Sequence, residues 1–517
     1  MSDALIQALS HPACYEPSVQ EVECLETPMA WVLLTGDYAY KVSKPLTLGN
    51  VIDRSTLEQR RSLCEREVRL SRRVAPHHRL SVVPISGTPE SPRLGDDSAP
   101  IEYAVKMYQL SPRRLFSAWQ AGGQFSRELV DELIVQLVDF HECAETALPG
   151  SMETRVESVR DNIELEFERI LPQLQDASEL HRLALLRTWA AEAFARLRAV
   201  LSIRYEQGSV RKIPQDFRCR HVDHDGVAWS FDRVAALDRE PWIDVGGDLA
   251  GLLVELEARG ERPLARHALN RYLELSGDYD LARVLDYFKV YRALERARGI
   301  LQEAGTQGIG PLQYERCRDY LALAESDSEF RFPYLLIGAG VSGSGKSRFT
   351  GETIRRLGGI RLRSDVERMR LFGCESDEAK ETIDANLYGP RNTQRTYRRL
   401  AELTGILLES GLPVCIDATC LKRQQRDLLA WQAEGRGLPV IIVSFEADEA
   451  TLRSRIQKRS RGIDDSSMSG LAILEHQLAE REPFGDDERR RLIHLDTTAD
   501  NATDNLVSLI QTHMRLD

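Results

Sequence analysis

The stretch GVSGSGKS at residues 340–347 decides the fold of the second half of the chain. It matches the pattern GxxxxGK[ST], follows the apolar run 334–337 and precedes a helical stretch at 347–357. Glycines let the backbone curl so that its N–H groups point at phosphate oxygens, and the positive end of the following helix adds to this attraction. The pattern therefore predicts a phosphate-binding loop between a strand and a helix.

Each position of this loop has an expected role. Lys346 would place a positive charge on the β- and γ-phosphates of ATP, and Ser347 would ligate Mg²⁺. ATP and Mg²⁺ are therefore the expected cofactors. The loop residues that we expect to bind the nucleotide are Gly340, Ser342, Gly343, Ser344, Gly345, Lys346 and Ser347.

Apolar runs typical of strands alternate with helical stretches around the loop. These runs lie at 334–337, 359–362, 413–417, 439–445 and 492–495. Such alternation predicts βαβ units and a parallel sheet. We expect a P-loop domain with a parallel sheet flanked by helices at 333–517, preceded by a linker at 311–332 that includes a short helix.

An acidic residue follows the second of these predicted strands. Asp365 would face the crevice beyond the carboxyl ends of the strands, where ligands bind in open α/β sheets. A carboxylate there can orient an attacking hydroxyl or take its proton. Arg368 would lie on the same helical face and hold a polar or anionic acceptor. The alternative for Asp365 is a helix N-cap without a catalytic role.

Two further features fit a nucleotide site. Asp417 ends a buried strand, which is the position of a carboxylate near Mg²⁺, although a cap or turn residue is the alternative. Arg455 and Arg459 are four residues apart on an arginine-dense helix after the fourth strand. They would close over the phosphates and stabilise the charge of the transferred group. The alternative is a solvated basic face.

Several stretches of the second half match a known family in the right order. They are GVSGSGKS (340–347), RSDVERMRLFG (363–373), YGPRNTQRTYRRLAELTGILLESG (388–411), VCIDATCLKRQQR (414–426) and LRSRIQKRSRGIDDSSMSGLAILEHQ (452–477). Residues 333–517 thereby resemble the bacterial P-loop kinases related to zeta toxins, polynucleotide kinase and chloramphenicol phosphotransferase. The resemblance implies that Asp365 is the acceptor-side base and that Asp417 lies near the metal. The family's acceptors range from antibiotics to sugar nucleotides and nucleic-acid ends, so the resemblance carries over no acceptor.

The first half shows short strand-like runs at 23–110 and helical spacing from about 116 to 300. Lys41 in WVLLTGDYAYKVSKP and Glu67 in CEREV resemble the lysine–glutamate pair of aminoglycoside-phosphotransferase-like, or protein-kinase-like, N-terminal lobes. Such a pair orients the lysine toward nucleotide phosphates. The resemblance implies a bilobal domain at 1–310, with a β lobe at about 1–112 and a helical lobe at about 113–310.

The full arrangement resembles a two-domain bacterial family in which such a region precedes a P-loop kinase of the AAA ATPase type. One departure lies in RCRHVDHDGVAWSFD at 218–232. Asp232 fits the metal-binding position, but the Asn expected five residues after Asp223 is missing. The kinase mechanism needs a base and a metal-ligating Asn. We therefore expect a degenerate N-terminal domain with a regulatory or ligand-binding role.

The amino-acid composition indicates a globular protein and argues against a membrane partner. The chain has 517 residues, 42% of them apolar and 29% charged, which is typical of globular domains rather than disorder. The nine cysteines form no CxxC pair, which favours reduced thiols. No apolar run approaches the roughly 18 residues of a membrane span. We expect a cytoplasmic protein without a membrane partner.

Three functions remain open at this point. The favoured one is an ATP-dependent phosphotransferase acting on a hydroxyl of a small molecule. A polynucleotide 5′-hydroxyl kinase is possible but not favoured, because the net charge is −12 and no basic arm is evident. The third is a nucleotide-dependent regulatory switch or toxin-like protein. The oligomeric state does not follow from the sequence.

Overall fold

The structure is a computed structural model, and most of the chain is described in it. The described residues are 3–15, 19–26, 30–45, 47–48, 52–74, 81–108, 126–151, 155–174, 176–213, 242–303, 310–329, 331–373, 389–460 and 470–515. The chain divides into two compact units. The first unit comprises Met1–Val156 and Ile203–Glu255, and the second comprises Glu157–Ser202 and Leu256–Asp517.

This grouping differs from the boundaries expected from the sequence. Residues 256–303, which we expected in the N-terminal domain, belong to the same compact unit as the phosphate loop. The predicted linker at 311–332 contains an 18-residue helix, because Cys317, Tyr320 and Leu321 form a buried apolar face. The division into 1–310, 311–332 and 333–517 stays a prediction.

A six-stranded antiparallel sheet forms much of the first unit. Its strands are β1 (Glu23–Glu26), β2 (Ala30–Leu34), β3 (Tyr38–Ser43), β6 (Ser81–Thr88), β7 (Ser91–Leu94) and β8 (Pro100–Tyr108). They lie in the order β1-β2-β3-β8-β6-β7. Two smaller two-stranded sheets pair β4 (Thr47–Leu48) with β5 (Ile52–Asp53), and β9 (Val210–Lys212) with β10 (Trp242–Asp244).

Helices of the first unit pack on this sheet. The helices that lie wholly in this unit are α1 (Asp3–Leu9), α2 (Leu57–Val74) and α3 (Arg127–Cys143). Helix α2 is amphipathic, and its buried residues Cys64 and Val68 pack against Tyr103 and Val105 of β8. This contact fixes the position of Glu67 beneath the sheet.

The second unit is built around a five-stranded parallel sheet. Its strands are β11 (Leu335–Ala339), β12 (Ile360–Arg363), β13 (Val414–Asp417), β14 (Val440–Glu446) and β15 (Leu492–Asp496). They lie in the order β12-β13-β11-β14-β15, and every pairing is parallel. The parallel sheet expected from the sequence is therefore confirmed. Helices cover both faces of such a sheet, so its central strands are continuous apolar runs.

Helices make up most of the rest of the second unit; among those named next, Ala177–Glu206 continues into the first unit and Val245–Ala258 lies mostly in the first unit. They are α4 (Glu157–Ile170), α5 (Ala177–Glu206), α6 (Val245–Ala258), α7 (Arg262–Ser276), α8 (Ala282–Glu303), α9 (Pro311–Ser328), α10 (Lys346–Leu357), α11 (Ser364–Leu371), α12 (Pro390–Glu409), α13 (Arg423–Glu434), α14 (Glu449–Ser460), α15 (Gly470–Glu480), α16 (Asp486–Arg489) and α17 (Ala502–Arg515). Short 3₁₀ helices lie at Pro12–Cys14, Leu171–Gln173 and Tyr279–Leu281.

Two further observations bear on the sequence expectations. Within the described ranges, no helix combines the length and the apolar character that crossing a membrane requires. The cysteines in these ranges are free thiols: Cys14, Cys24, Cys64, Cys143, Cys317, Cys415 and Cys420.

Candidate active site

Three neighbouring strands bring the predicted site residues to one edge of the parallel sheet. Gly338 of β11 is in register with Asp417 of β13, which is in register with Arg363 of β12. The phosphate loop begins just beyond Gly338, and Asp365 follows Arg363 by two residues. Adjacent strands lie roughly 4.8 Å apart, so this edge places the three chain segments within about 10 Å of one another.

The shape of the phosphate loop depends on glycine. Gly343 has φ 81° and Gly345 has φ 91°, a backbone region that residues with a Cβ rarely adopt. A Cβ on Gly343 would also lie 3.0 Å from the carbonyl oxygen of Leu452. Helix α10 starts directly after Gly345, so the first turn of the helix follows the loop without a break.

Lys346 lies along the loop that it follows. Its Nζ donates to the carbonyl oxygens of Gly340 at 2.8 Å and Val341 at 2.9 Å, and it lies 3.5 Å from Ser344 Oγ. Ser347 is exposed in the first turn of α10, and its carbonyl oxygen accepts from Arg361 Nη1 at 3.0 Å. The loop's cation and its exposed hydroxyl are therefore next to each other in the chain, at the start of one helix.

Asp417 has an unusual environment for a carboxylate. Only 5% of the residue is exposed, and its Oδ2 atom is buried with no hydrogen-bond partner. Its neighbour Arg361 approaches that atom to 3.9 Å. A buried carboxylate oxygen without a partner is costly unless a cation or water takes the position.

The donor set at this point fits a magnesium ion. Mg²⁺ prefers oxygen ligands and is bound by one or two carboxylates together with phosphate oxygens and water. Asp417 and the hydroxyl of Ser347 are donors of that kind. The described ranges contain no group of three or more His, Cys, Asp or Glu side chains suited to a metal. A site with one protein carboxylate is therefore the arrangement that these residues support.

Asp365 lies in the first turn of α11. Its side chain is 60% exposed, and its Oδ2 atom is 2.7 Å from Arg363 Nη2. The N-cap of α11 is Arg363, so the alternative interpretation of Asp365 as an N-cap is wrong. Arg368, on the same helix, is buried, and its Nη1 lies 3.4 Å from Thr393 Oγ1 of α12. The catalytic roles of Asp365 and Arg368 stay predictions.

Arg455 of α14 contacts the phosphate loop. Its Nη1 donates to the carbonyl oxygen of Gly343 at 3.2 Å and to Thr497 Oγ1 at 3.0 Å, while its Nη2 donates to the carbonyl oxygen of Thr497 at 3.1 Å. Arg455 therefore ties the loop to the turn after β15. Arg459 is on the same helix, but its side chain lies outside the described part of the chain. Their role in a lid stays a prediction.

Residues 335–484 match the family described as an AAA domain. The match includes the phosphate loop, Asp365, Asp417 and Arg455. Over 472 residues, an uncharacterized protein of Mycobacterium tuberculosis H37Rv is 24% identical, which covers 90% of this chain and 91% of the relative. An uncharacterized protein of Mycobacterium bovis has the same identity over the same length.

Solved structures similar to part of the chain include two kinases. A gluconokinase from Sinorhizobium meliloti is 23% identical and covers 36% of this chain and 97% of its own, with a TM-score of 0.28. The Mycobacterium tuberculosis APS kinase CysC is 17% identical and covers 36% of this chain and 99% of its own, with a TM-score of 0.27.

The sequence did not predict two contacts of the phosphate loop with other residues of 335–484. The backbone amide of Ser342 donates to Gln477 Oε1 of α15 at 2.7 Å, so a residue 135 positions away binds the phosphate loop. The carbonyl oxygen of Thr419 accepts from the amide of Gly340 at 3.0 Å. No local pattern marks either contact, because glutamine and threonine are common on helices and in turns.

The turn after Asp417 contains a cysteine with no reactive role. Cys420 is buried beside Tyr397, and burial raises the pKa of its thiol to about 12. The thiol therefore stays protonated at neutral pH and is not a nucleophile.

In the first unit, Lys41 and Glu67 come together. The Nζ–Oε1 distance is 3.3 Å, and the two side chains are only 10% and 8% exposed. Asp232, the predicted metal ligand, lies outside the described residues, as do His221 and Asp223. Whether Lys41 and Glu67 bind a nucleotide stays a prediction, as does the bilobal kinase-like domain around them.

Proposed function

We propose that this protein is an ATP-dependent phosphotransferase whose P-loop domain moves the γ-phosphate of ATP to a hydroxyl of a small molecule. The observation that carries the proposal is the arrangement at one edge of the sheet. There the phosphate loop lies beside a strand that ends in the buried, incompletely partnered Asp417, and the next strand leads to the exposed carboxylate of Asp365. Nucleotide binding alone does not require an exposed carboxylate at that edge.

The phosphate loop supplies nucleotide binding in this proposal. The amides at the start of α10 and the Lys346 ammonium bind the β- and γ-phosphates. Lys346 now donates to two neutral carbonyls, and phosphate oxygens offer it a charged partner that makes stronger hydrogen bonds. Lys346 would exchange these internal contacts for the phosphate oxygens when a nucleotide binds.

Asp417 and Ser347 would hold Mg²⁺, which when bound neutralises charge that develops on the phosphates. Asp365 would accept a hydrogen bond from the acceptor hydroxyl and orient its oxygen for attack. Arg368, which is buried and lies on the same helix as Asp365, would bind a polar or anionic part of the acceptor. Arg455 and Arg459 would stabilise the charge on the transferred group.

We assign the first unit a regulatory or ligand-binding role. The buried Lys41–Glu67 pair supports this assignment, because it keeps a lysine in one orientation under the sheet. The missing Asn after Asp223 argues against a second phosphotransfer centre. The first unit would therefore bind a ligand without converting it.

The test is transfer of ³²P from labelled Mg-ATP to a pool of small metabolites by the full-length protein. Wild type should yield a labelled product, and Lys346→Ala should reduce transfer to background. Lys422→Ala is the matched control, since this exposed lysine pairs with Glu480 rather than with the loop. Transfer by Lys346→Ala at the wild-type rate would refute the proposal. Preferential labelling of a 5′-hydroxyl oligonucleotide would replace the small-molecule acceptor with a nucleic acid.

A further inference from the structure

Helix α7 contacts the β12 edge of the parallel sheet. In the chain, helices α8 and α9 separate it from the phosphate loop. The side chain of Asn270 accepts from the amide of Arg361 at 2.7 Å and donates to the carbonyl oxygen of Gly359 at 2.9 Å. Arg266 Nη1 donates to the carbonyl oxygens of Arg355 at 3.3 Å and Arg356 at 2.5 Å, in the last turn of α10. These contacts hold α7 against the beginning of β12.

Glu274 lies one helical turn beyond Asn270, so it points to the same strand. Its Oε1 is 3.1 Å from Arg363 Nη1, and its Oε2 is 3.5 Å from Arg361 Nη2. Arg361 and Arg363 are two residues apart in β12, so their side chains project from the same face of the sheet. The Glu274 side chain is 12% exposed. One largely buried carboxylate thus holds both arginines.

These two arginines also contact Asp365, the predicted base, and Ser347 and Asp417, the predicted metal ligands. Arg363 Nη2 is 2.7 Å from Asp365 Oδ2, while its Nη1 binds Glu274. Arg361 Nη1 donates to the carbonyl oxygen of Ser347 and lies 3.9 Å from Asp417 Oδ2. Burial alone would lower the pKa of Arg363, but the charges of Asp365 and Glu274 raise it above its ordinary value. The guanidinium therefore stays charged and bridges two carboxylates.

Helix α11, which carries Asp365, is attached to the same segment at two further points. The hydroxyl of Tyr279 donates to Glu367 Oε1 at 3.0 Å, and Glu367 is fully buried. Burial and the charge of Glu367 raise the pKa of Tyr279, so its hydroxyl keeps the proton that it donates. Arg370 donates to the backbone carbonyl of Glu274 at 2.6 Å and also pairs with Glu367.

We propose that Glu274 is a positioning residue for phosphotransfer: through Arg363 it fixes the carboxylate of Asp365 toward the acceptor. The proposal rests on the function proposed above. Asp365 is 60% exposed, and an exposed carboxylate by itself occupies several rotamers. The rigid fork of Arg363, held at its other end by Glu274, selects one of them. Helix α7 is therefore part of the active-site architecture and not only a neighbour of it.

The test compares Glu274→Gln with Asp280→Asn in the full-length protein. Asp280 is a matched control, since its half-exposed carboxylate lies six residues after Glu274 and pairs with Arg283. Phosphate release from Mg-ATP, with water as the acceptor, should fall about tenfold in kcat for Glu274→Gln, because the misplaced Asp365 no longer orients the attacking oxygen. The KM for ATP should change less than about twofold, since no residue of the phosphate loop is replaced and Arg361 keeps its hydrogen bond to the Ser347 carbonyl oxygen. Asp280→Asn should match wild type in both.

Hydrogen exchange of the amides in 364–371 supplies a second readout. Exchange should become faster in Glu274→Gln and stay unchanged in Asp280→Asn. The proposal is overturned if the two variants have the same kcat and the same exchange. If wild type neither releases phosphate nor labels a metabolite, the proposed function loses its support, while the exchange comparison still decides whether Glu274 orders α11. If Glu274→Gln does not fold, Arg363→Lys, which keeps the charge but not the fork, replaces it in both measurements.

Discussion

The hydroxyl of Tyr397 accepts a hydrogen bond from the backbone amide of Cys420 at 3.0 Å. Cys420 has φ 46° and is the one non-glycine residue with positive φ in the described part of the chain. The turn that it forms carries the chain away from Asp417 and places the carbonyl oxygen of Thr419 on the amide of Gly340. A tyrosine of α12 thus stabilises a strained turn that supports the phosphate loop.

This geometry predicts that residue 420 is sensitive to branching at Cβ. Cys420→Val should lower the free energy of unfolding by about 2 kcal/mol relative to Cys420→Ala, because a β-branched side chain fits the left-handed region poorly. Cys420→Ala is the control, since it keeps the Cβ and removes only the sulfur. Urea denaturation of both variants measures the difference. Equal unfolding free energies would show that the turn relaxes to another conformation.

The buried oxygen of Asp417 predicts opposite effects on stability and activity. Asp417→Asn should leave the melting temperature of the nucleotide-free protein unchanged or raise it, because the variant removes a buried charge whose Oδ2 atom accepts no hydrogen bond. Phosphate transfer from Mg-ATP should fall by at least about 100-fold, because a ligand of the metal is lost. Calorimetry and the labelling assay measure the two effects. A marked loss of stability in the absence of Mg²⁺ would contradict the proposed metal role.

The Lys41–Glu67 pair predicts a non-additive effect on stability. Lys41→Met should destabilise the protein by about 3 kcal/mol, because it leaves the Glu67 carboxylate buried without this partner. The double variant Lys41→Met/Glu67→Leu should recover most of that loss, since an apolar pair can replace a buried ion pair. Urea denaturation of the two single variants and the double variant gives the coupling energy. Additive losses would mean that the two charges do not stabilise each other.

The buried pair Arg426–Glu488 predicts a pH dependence of stability. Burial alone would raise the pKa of Glu488, but the hydrogen bonds and charge of Arg426 bring it below its ordinary value. Since the unfolded value is about 4.3, the pair stabilises the protein above that pH and loses its effect as pH falls through the lower folded value. Arg426 also donates to the carbonyl oxygens of Cys420 and Leu421 at 3.1 Å, so the pair supports the same turn.

Unfolding of wild type and Glu488→Gln should therefore be compared between about pH 7 and pH 3. The variant should be less stable at pH 7, and the difference should shrink as the pH falls. A difference that stays constant over this range would show that Glu488 does not titrate with folding. The exposed carboxylate of Asp486 provides the control variant Asp486→Asn, which we expect to behave as wild type.

Sequence patterns predicted the parallel sheet well, because strands buried on both faces are continuous apolar runs. Strand β13 was expected at 413–417 and lies at Val414–Asp417. The segment after Gly305 was less predictable, since the helix Pro311–Ser328 has a mixed polar and apolar surface that resembles a linker. Local periodicity reports which face of an element is buried but not what covers it.

Only the part of the site that lies within a single sequence motif, the phosphate loop, was predictable. The phosphate loop follows from spacing alone, because its shape is set by glycines within eight residues. The contacts of Glu274, Gln477 and Tyr397 join positions far apart in the chain, and each is an ordinary residue of an ordinary helix. Their importance follows from tertiary packing, which no window of neighbouring residues contains. Arg363 as N-cap of α11 is a further example, because arginine is not among the residues favoured at that position.

The paired hydrogen bonds of Asn270 also have a consequence for handling the protein. Strand β12 is the outermost strand at one side of the parallel sheet. The side-chain amide of Asn270 hydrogen-bonds the backbone of Gly359 and Arg361, as a neighbouring strand would. A chain shortened to residues 333–517 would lose this cover and present bare backbone donors and acceptors, which template pairing with another copy. Such a fragment should self-associate, so expression of all 517 residues should give the more monodisperse sample.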